Sequence, residues 1–183
     1  MNWEIVPLPK RGPLFDGAIA VYGEAFAGPP YSDPDRGAEI RERVLDLHGK
    51  RAEFQSFAAV TPEQRVVGMT YGYRGHAGQW WHDMVVRALV PGVARQWLDS
   101  SYELVEIAVD PSCQGQGIGS SLINRLLEGR TEATCVLSTR TDSRAHELYR
   151  RRGFEVLTEM RFANRGAPFY IMGKRLPVIA NER

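Results

Sequence analysis

Apolar positions recur at two periods along the chain, and the switches between them lay out the elements. Residues 3–7, "WEIVP", read as a short first strand. In "LFDGAIAVYGEAFAG", Leu14, Ile19, Tyr22 and Phe26 recur about one turn apart, which predicts a helix. The prolines of "PPYSDPDRG" end it in a loop, and "AEIRERVLDLHGK" follows as a second amphipathic helix that stops near Gly49. "FQSFAAV" and "RVVGMTYGYRG" are two strands joined by the turn "TPEQ". "HAGQWWHDMVVRALVPGVARQWLDS" is helical in pattern but broken by Pro91 and Gly92. The strand "SYELVEIAV" leads into alternating glycines, then a helix with Ile118, Leu122, Leu126 and Leu127 on one face. A strand ("ATCVLST"), a helix ("DSRAHELYRRRG") and two strands ("FEVLTEMRFA", "FYIMGKRL") joined by "NRGAP" complete the chain. This order predicts one mixed α/β domain over residues 1–183, with no repeat, low-complexity tract or linker.

Size and charge narrow the function classes. The 183 residues are enough to bury a real core, and 43% hydrophobic with 25% charged residues is ordinary for a globular protein. A formal charge of +1, from 23 basic and 22 acidic residues, argues against a protein that coats nucleic acid or an anionic membrane. No stretch approaches the roughly 20 apolar residues of a membrane span. The start, "MNWEIVPLPKRG", lacks the apolar run of a secretion signal, and Cys113 and Cys135 make no disulfide framework. A reduced, cytoplasmic protein is expected. The four histidines show no metal-ligand spacing with either cysteine, so no metal is expected.

The glycine loop "VDPSCQGQGIGSSL", between a strand and a helix, invites comparison with three phosphate-binding patterns. A nucleoside-triphosphate loop needs lysine after its last glycine, and Ser120 follows Gly119 here. A dinucleotide fingerprint starting at Gly115 would need glycine at Ser120 and an acidic residue about 20 positions on, where Ser138 to Arg140 stand. The third pattern fits: Gln114-Gly115-Gln116-Gly117-Ile118-Gly119 matches Q/R-x-x-G-x-G/A. In this the chain resembles the GNAT superfamily of N-acetyltransferases, whose loop cradles the pyrophosphate of acetyl-coenzyme A. Glycines let phosphate oxygens approach the amide groups, and the next helix points free N–H groups and its positive dipole end at the same place. "TDSRAHELYRRRGF", residues 141–154, resembles the family's Asn-x-x-Ala-x-x-x-Tyr-x-x-x-Gly-Phe segment, with Asp142 where asparagine is commoner. The cofactor-binding signature spans about 102–162, and the acceptor side about 14–50 and 76–100. The resemblance implies a mostly antiparallel central sheet of about seven strands, flanked by about four helices and splayed at the cofactor-binding strand.

It also implies residue roles. Gln114, Gly115, Gln116, Gly117, Ile118, Gly119 and Ser120 hold the pyrophosphate, while the backbone of Ile107, Ala108 and Val109 pairs with the pantetheine arm and Asp142 lies near it. Acyl transfer to an amine needs a base, because an ammonium with a pKa of about 10.4 cannot attack. It also needs donors for an oxyanion and a proton for the departing thiolate. By resemblance Tyr149 is the general acid beside the sulfur, although Ala145, Leu148 and Tyr149 also read as an apolar helix face. Glu103 and Glu106, on opposite faces of one strand, are both candidates for a base acting directly or through water. Resemblance favours Glu103, eleven positions before Gln114; position favours Glu106. Burial would have to raise either from about 4.3.

The acceptor side is less specific. Trp80, Trp81 and His82 either wall an amine pocket or pack the broken helix onto the sheet. Tyr31 and Asp33, in the proline-rich loop, are further pocket candidates. The run Arg150, Arg151, Arg152 reads as a solvated helix end, and Cys113 is not needed for direct transfer. The expected activity is N-acetylation of a primary amine on a small molecule or peptide. The alternatives are a transferase for a longer acyl-CoA, or a non-catalytic CoA-binding sensor or interaction module. A transfer-RNA substrate would want a more basic face, and a homodimer is compatible with the resemblance.

Overall fold

The structure, a computed structural model, describes residues 2–177, so the 1–183 bounds extend past it at Met1 and 178–183. The chain divides into two compact units: Met1–Tyr73 with Val105–Glu128, and Arg74–Leu104 with Gly129–Arg183. Seven strands form a sheet in the order β1-β2-β3-β4-β5-β7-β6, and β3 and β4 each begin in one unit and end in the other.

The first unit starts with β1 (Glu4–Pro7), α1 (Pro13–Ala27) and α2 (Arg36–Asp46). α2 begins at Arg36, two residues before the segment predicted as helical, and a short 3-10 turn, His48–Lys50, ends it near Gly49. β2 (Gln55–Val60) pairs antiparallel with β1, Val6 opposite Ala58. It also pairs antiparallel with β3 (Val66–Gly75), Phe57 opposite Thr70. Side chains alternate along a strand, so Met69, Tyr71 and Tyr73 share one face. They meet Phe15, Ile19, Tyr22 and Phe26 of α1 and Ile40 and Val44 of α2 in one buried cluster. The second half of β4 (Ser101–Val109) adds Ala108 to it, and α5 (Ile118–Leu127) packs on β2.

The second unit carries the segment predicted as a broken helix, and the break is complete. α3 (Trp80–Ala88) stops, Leu89 and Val90 are extended, and Pro91 opens α4 (Pro91–Leu98). The residue before proline is pushed out of helical backbone and proline fits a first helical position, so one apolar pattern becomes two helices. The split adds one helix, and six α-helices occur among the described residues where about four were expected. Val85, Leu89, Ala94, Trp97 and Leu98 pack with Val136 of β5 (Thr134–Arg140) and Ile171 of β7 (Pro168–Arg175). β4 runs parallel to β5 through Ser101–Glu103, and β7 pairs antiparallel with both β5 and β6 (Glu155–Arg161). α6 (Ala145–Arg151) follows β5. No helix among the described residues is long and apolar enough to cross a membrane.

Candidate active site

The glycine loop is built from its first residue. Asp110 accepts from Ser112 N at 2.8 Å and Ser112 Oγ at 2.6 Å and pairs with Arg65, fixing a 3-10 turn over Pro111–Cys113. Those bonds, Ser112 first and Arg65 after it, hold the Asp110 carboxyl below the usual range. Cys113 is fully buried under that turn, and Gln114 donates back to Val109 O at 3.3 Å. Gln114, Gly115, Gln116 and Gly117 are exposed. The left-handed backbone falls at Gly115 (φ 77°) and Gly117 (φ 90°), and no atom lies within 4 Å of where their Cβ would stand. Gly119 is different: buried in the first turn of α5, it has no positive φ, so only the first two glycines of the three are demanded by dihedral angle. Gly117 is the N-cap of α5 with no side-chain capping bond, and Ser121 N is the first amide to close onto it, at 3.1 Å. The amides of Ile118, Gly119 and Ser120 therefore lack intrahelical acceptors and meet an open, glycine-lined bend at the positive end of a ten-residue helix. That arrangement fits a phosphate-bearing group.

A second polar assembly lies in the same unit around Glu106. Its carboxylate is nearly buried, with Arg43 Nη1 at 3.7 Å and Arg36 Nη2 at 3.9 Å from Oε1. Burial pushes its pKa above the ordinary glutamate value, and Arg36, the neighbouring Tyr22 hydroxyl and Arg43 pull the other way. Arg36 Nε donates to Tyr22 Oη at 2.8 Å, and its guanidinium lies 4.4 Å from the Phe26 ring centre and 5.1 Å from that of Tyr31. Further along, His48 Nδ1 is 2.9 Å from Tyr71 Oη, and Arg51 bonds the Tyr73 hydroxyl while stacking on its ring. His48 is held down to about 3 by burial, with Arg51 and Arg43 adding to the effect, so it is neutral at physiological pH.

The other candidates fall elsewhere. Glu103, 4% exposed, belongs to the second unit and stands in register with Val136, a residue of that unit's core. The two glutamates thus part company within three residues of β4. Ile107 and Val109 are half-buried and Ala108 is buried, all on the half of β4 in the first unit. Tyr149 is buried on α6. Phe154 N bonds Tyr149 O and Gly153 N bonds Arg150 O, both at 3.0 Å, with Gly153 at φ 86°. This pair of bonds is a Schellman cap, and it turns Phe154 back onto the Tyr149 ring at 5.8 Å. The Tyr-x-x-x-Gly-Phe spacing is the sequence trace of that cap. Asp142 is exposed and bidentate to Arg140, at 2.9 and 2.7 Å, which holds its carboxyl below the ordinary value.

Of the acceptor-side candidates, Tyr31 adjoins the Glu106 assembly, through Phe26 and Arg36. Asp33 is half-exposed and donates its backbone N–H to Phe26 O at 3.0 Å. Trp81 donates to Ser138 Oγ at 3.0 Å and packs on the core of the second unit. Trp80 is 63% exposed with its ring near Phe162, and His82 is buried with Nδ1 at 3.4 Å from Asp83. The sequence reading missed Arg36, Arg43, His48, Arg51, Tyr71 and Tyr73. One signal was available: tyrosines two apart in "TYGY" share a strand face.

Comparison with known proteins agrees with this geometry. The family model described as "Acetyltransferase (GNAT) domain" matches residues 54–156. A GCN5-like protein acetyltransferase of Mycobacterium tuberculosis (strain ATCC 25618 / H37Rv) is 40% identical, over 88% of this chain and 91% of that protein. Among solved structures, the chain resembles a protein from Corynebacterium glutamicum titled histone acetyltransferase HPA2 and related acetyltransferase. The TM-score is 0.64 at 22% identity, over 98% of this chain and 99% of that one. An aminoglycoside 6'-N-acetyltransferase complexed with coenzyme A gives 0.65 at 18% identity, over 96% and 99%. These two likenesses concern the fold. The family itself uses acetyl-CoA as co-substrate. A loop shaped for phosphate, a family match across more than half the residues and a relative 40% identical over most of both chains converge: the chain belongs to the GNAT acetyltransferase family and is an acyltransferase.

Proposed function

We propose that this enzyme moves the acetyl group of acetyl-CoA to a primary amine of a small molecule or peptide by direct attack. Glu106 acts through a water as the base, and Tyr149 as the general acid. The observation that carries this reading is the environment of Glu106. A free glutamate is too weak a base to deprotonate an ammonium effectively, and burial raises this one. Arg36 and Arg43, each more than 3.5 Å away, keep the charged form accessible without locking it in a tight ion pair. The amine proton therefore passes to a Glu106 oxygen, and the neutral nitrogen is left to attack.

Acetyl-CoA supplies an acyl group activated as a thioester. The amides from Gly115 to Ser120 suit its pyrophosphate, and the backbone of Ile107, Ala108 and Val109 is assigned to its pantetheine arm. Tyr149 Oη is the proton source for the departing sulfur. Asp142, already engaged by Arg140, is assigned a supporting place near that arm. The contacts of Tyr31 support an acceptor role, whereas the Trp81–Ser138 bond and the burial of His82 support packing roles for those two. The family match runs through both compact units, which supports one catalytic domain.

The test is CoA-thiol release from acetyl-CoA across amino acids, polyamines, aminoglycosides, arylamines and lysine peptides. Glu106→Gln, Glu103→Gln and Tyr149→Phe are assayed beside the parent. Acceptor-dependent release that collapses in Glu106→Gln supports the reading. Full activity in Glu106→Gln with loss in Glu103→Gln would transfer the base to Glu103.

A further inference from the structure

The Glu106 assembly is positively charged, and this bears on which amine it admits. Three guanidinium groups, Arg36, Arg43 and Arg51, gather on the face made by α2, the 3-10 turn after it and β3. One buried carboxylate, Glu106, faces them. His48, between Tyr71 and Tyr73, adds no charge, being neutral above about pH 3. The arginines differ in how far they are committed. Arg36 is enclosed by Tyr22, Phe26 and Tyr31 and bonded to Tyr22. Among the described residues Arg43 makes two long ion pairs, 3.7 Å to Glu106 and 3.9 Å to the exposed Glu39. Arg51 bonds the Tyr73 hydroxyl and, among the described residues, has no carboxylate within ion-pair distance. Arg43 and Arg51 are both half-exposed, and a guanidinium carries five donors in a fork that matches a carboxylate or phosphate.

We infer that the acceptor is a primary amine that itself carries an anionic group, a carboxylate or phosphate, seated on Arg43 and Arg51 while the amine faces Glu106. This rests on Glu106 serving the amine, as proposed above. It separates this site from one for polyamines or aminoglycosides. A substrate with several ammonium groups would bring further positive charge beside three arginines, and like-charge juxtaposition rejects a wrong partner. The near-neutral charge of the whole chain hides this local excess.

The experiment uses acceptor pairs of equal chain length that differ in the anion. These are ω-amino carboxylates against alkylamines, phosphoethanolamine against ethanolamine, and lysine peptides flanked by aspartate against the same flanked by lysine; spermidine is the polycation. CoA-thiol release gives kcat/KM, and calorimetry with coenzyme A present gives binding of the same probes. The expected result is a preference of about tenfold or more for the anionic member, in the range of charge-assisted hydrogen bonds. In Arg51→Gln and Arg43→Gln that preference shrinks through KM rather than kcat, and Arg51→Lys restores part of it. Whichever pair prefers its anion most strongly identifies the source. Acetylation of neutral amines or spermidine as efficient as that of anionic ones overturns the inference and leaves the acetyltransferase reading standing. Arginine-dependent binding of the anionic probes without acetylation keeps the anion seat and overturns the Glu106 chemistry. Neither acetylation nor anion-selective binding overturns both.

Discussion

Two glutamates three residues apart on β4 end in different surroundings. Glu103 lies in the second unit, opposite Val136 in the ladder and 4% exposed. Glu106 lies in the first unit among arginines and tyrosines, with its pKa raised by burial. Odd spacing on a strand sends side chains to opposite faces, and here it separates them by unit as well. The comparison teaches that strand position and carboxylate chemistry are insufficient to name a base. Around Glu106 stand groups able to hold its charge, Arg36 and Arg43 of α2 and Tyr22 of α1.

Glutamine substitutions at both positions break or sharpen this comparison most strongly. Glu106→Gln is expected to lower kcat by about 10²–10³-fold, the scale of a lost general base, with coenzyme A affinity retained. The acid limb of the kcat/KM profile should disappear with it. In the proposed mechanism activity needs the ionised form, so the parent limb rises with pH up to a pKa above that of ordinary glutamate. Glu103→Gln is expected to lower the melting temperature more than the turnover. The reverse pattern in the two variants would reverse the assignment.

Tyr149→Phe tests the other end of the proposed proton path. Turnover is expected to fall about 10–100-fold with the Kd for acetyl-CoA nearly unchanged, and unchanged turnover would remove the acid role. Gly117→Ala is the complementary control, a change meant to act on binding rather than chemistry. A Cβ at φ 90° costs about 1–2 kcal/mol and intrudes on an open bend, so the Kd for coenzyme A should weaken by about tenfold. kcat at saturation should persist; a lost kcat with intact binding would contradict the phosphate role of the loop.

The smallest effect is on stability rather than rate. His48 is near 6.5 in the unfolded chain and about 3 in the fold, so between those values only the unfolded chain takes up the proton. Its stability contribution is complete above pH 6.5 and is lost as pH falls toward 3. His48→Gln should flatten urea-denaturation stability across that window by about 1–3 kcal/mol. A parent and variant with equal acid dependence would show that His48 is not buried neutral against Tyr71.

Sequence determined the parts of this protein that depend on neighbours along the chain. All seven strands were legible in the sequence as apolar runs bounded by turn residues, and the glycine loop followed from glycines whose need is local: backbone at φ 77° and 90° between a strand and a helix start. The Tyr149–Gly153–Phe154 cap is local in the same way. The break read at Pro91 was local too, since proline there divides one helical pattern into two helices. Tertiary structure decided the rest. Arg36, Arg43, His48, Arg51, Tyr71 and Tyr73 carry no shared period with Glu106 and lie between 33 and 70 positions from it, so no window of sequence holds them together. Only folding β3 and β4 against α1 and α2 buries the carboxylate and gathers guanidinium groups around it. Burial and the field of neighbouring charges set a pKa, and both are properties of the assembled unit rather than of any residue in the list.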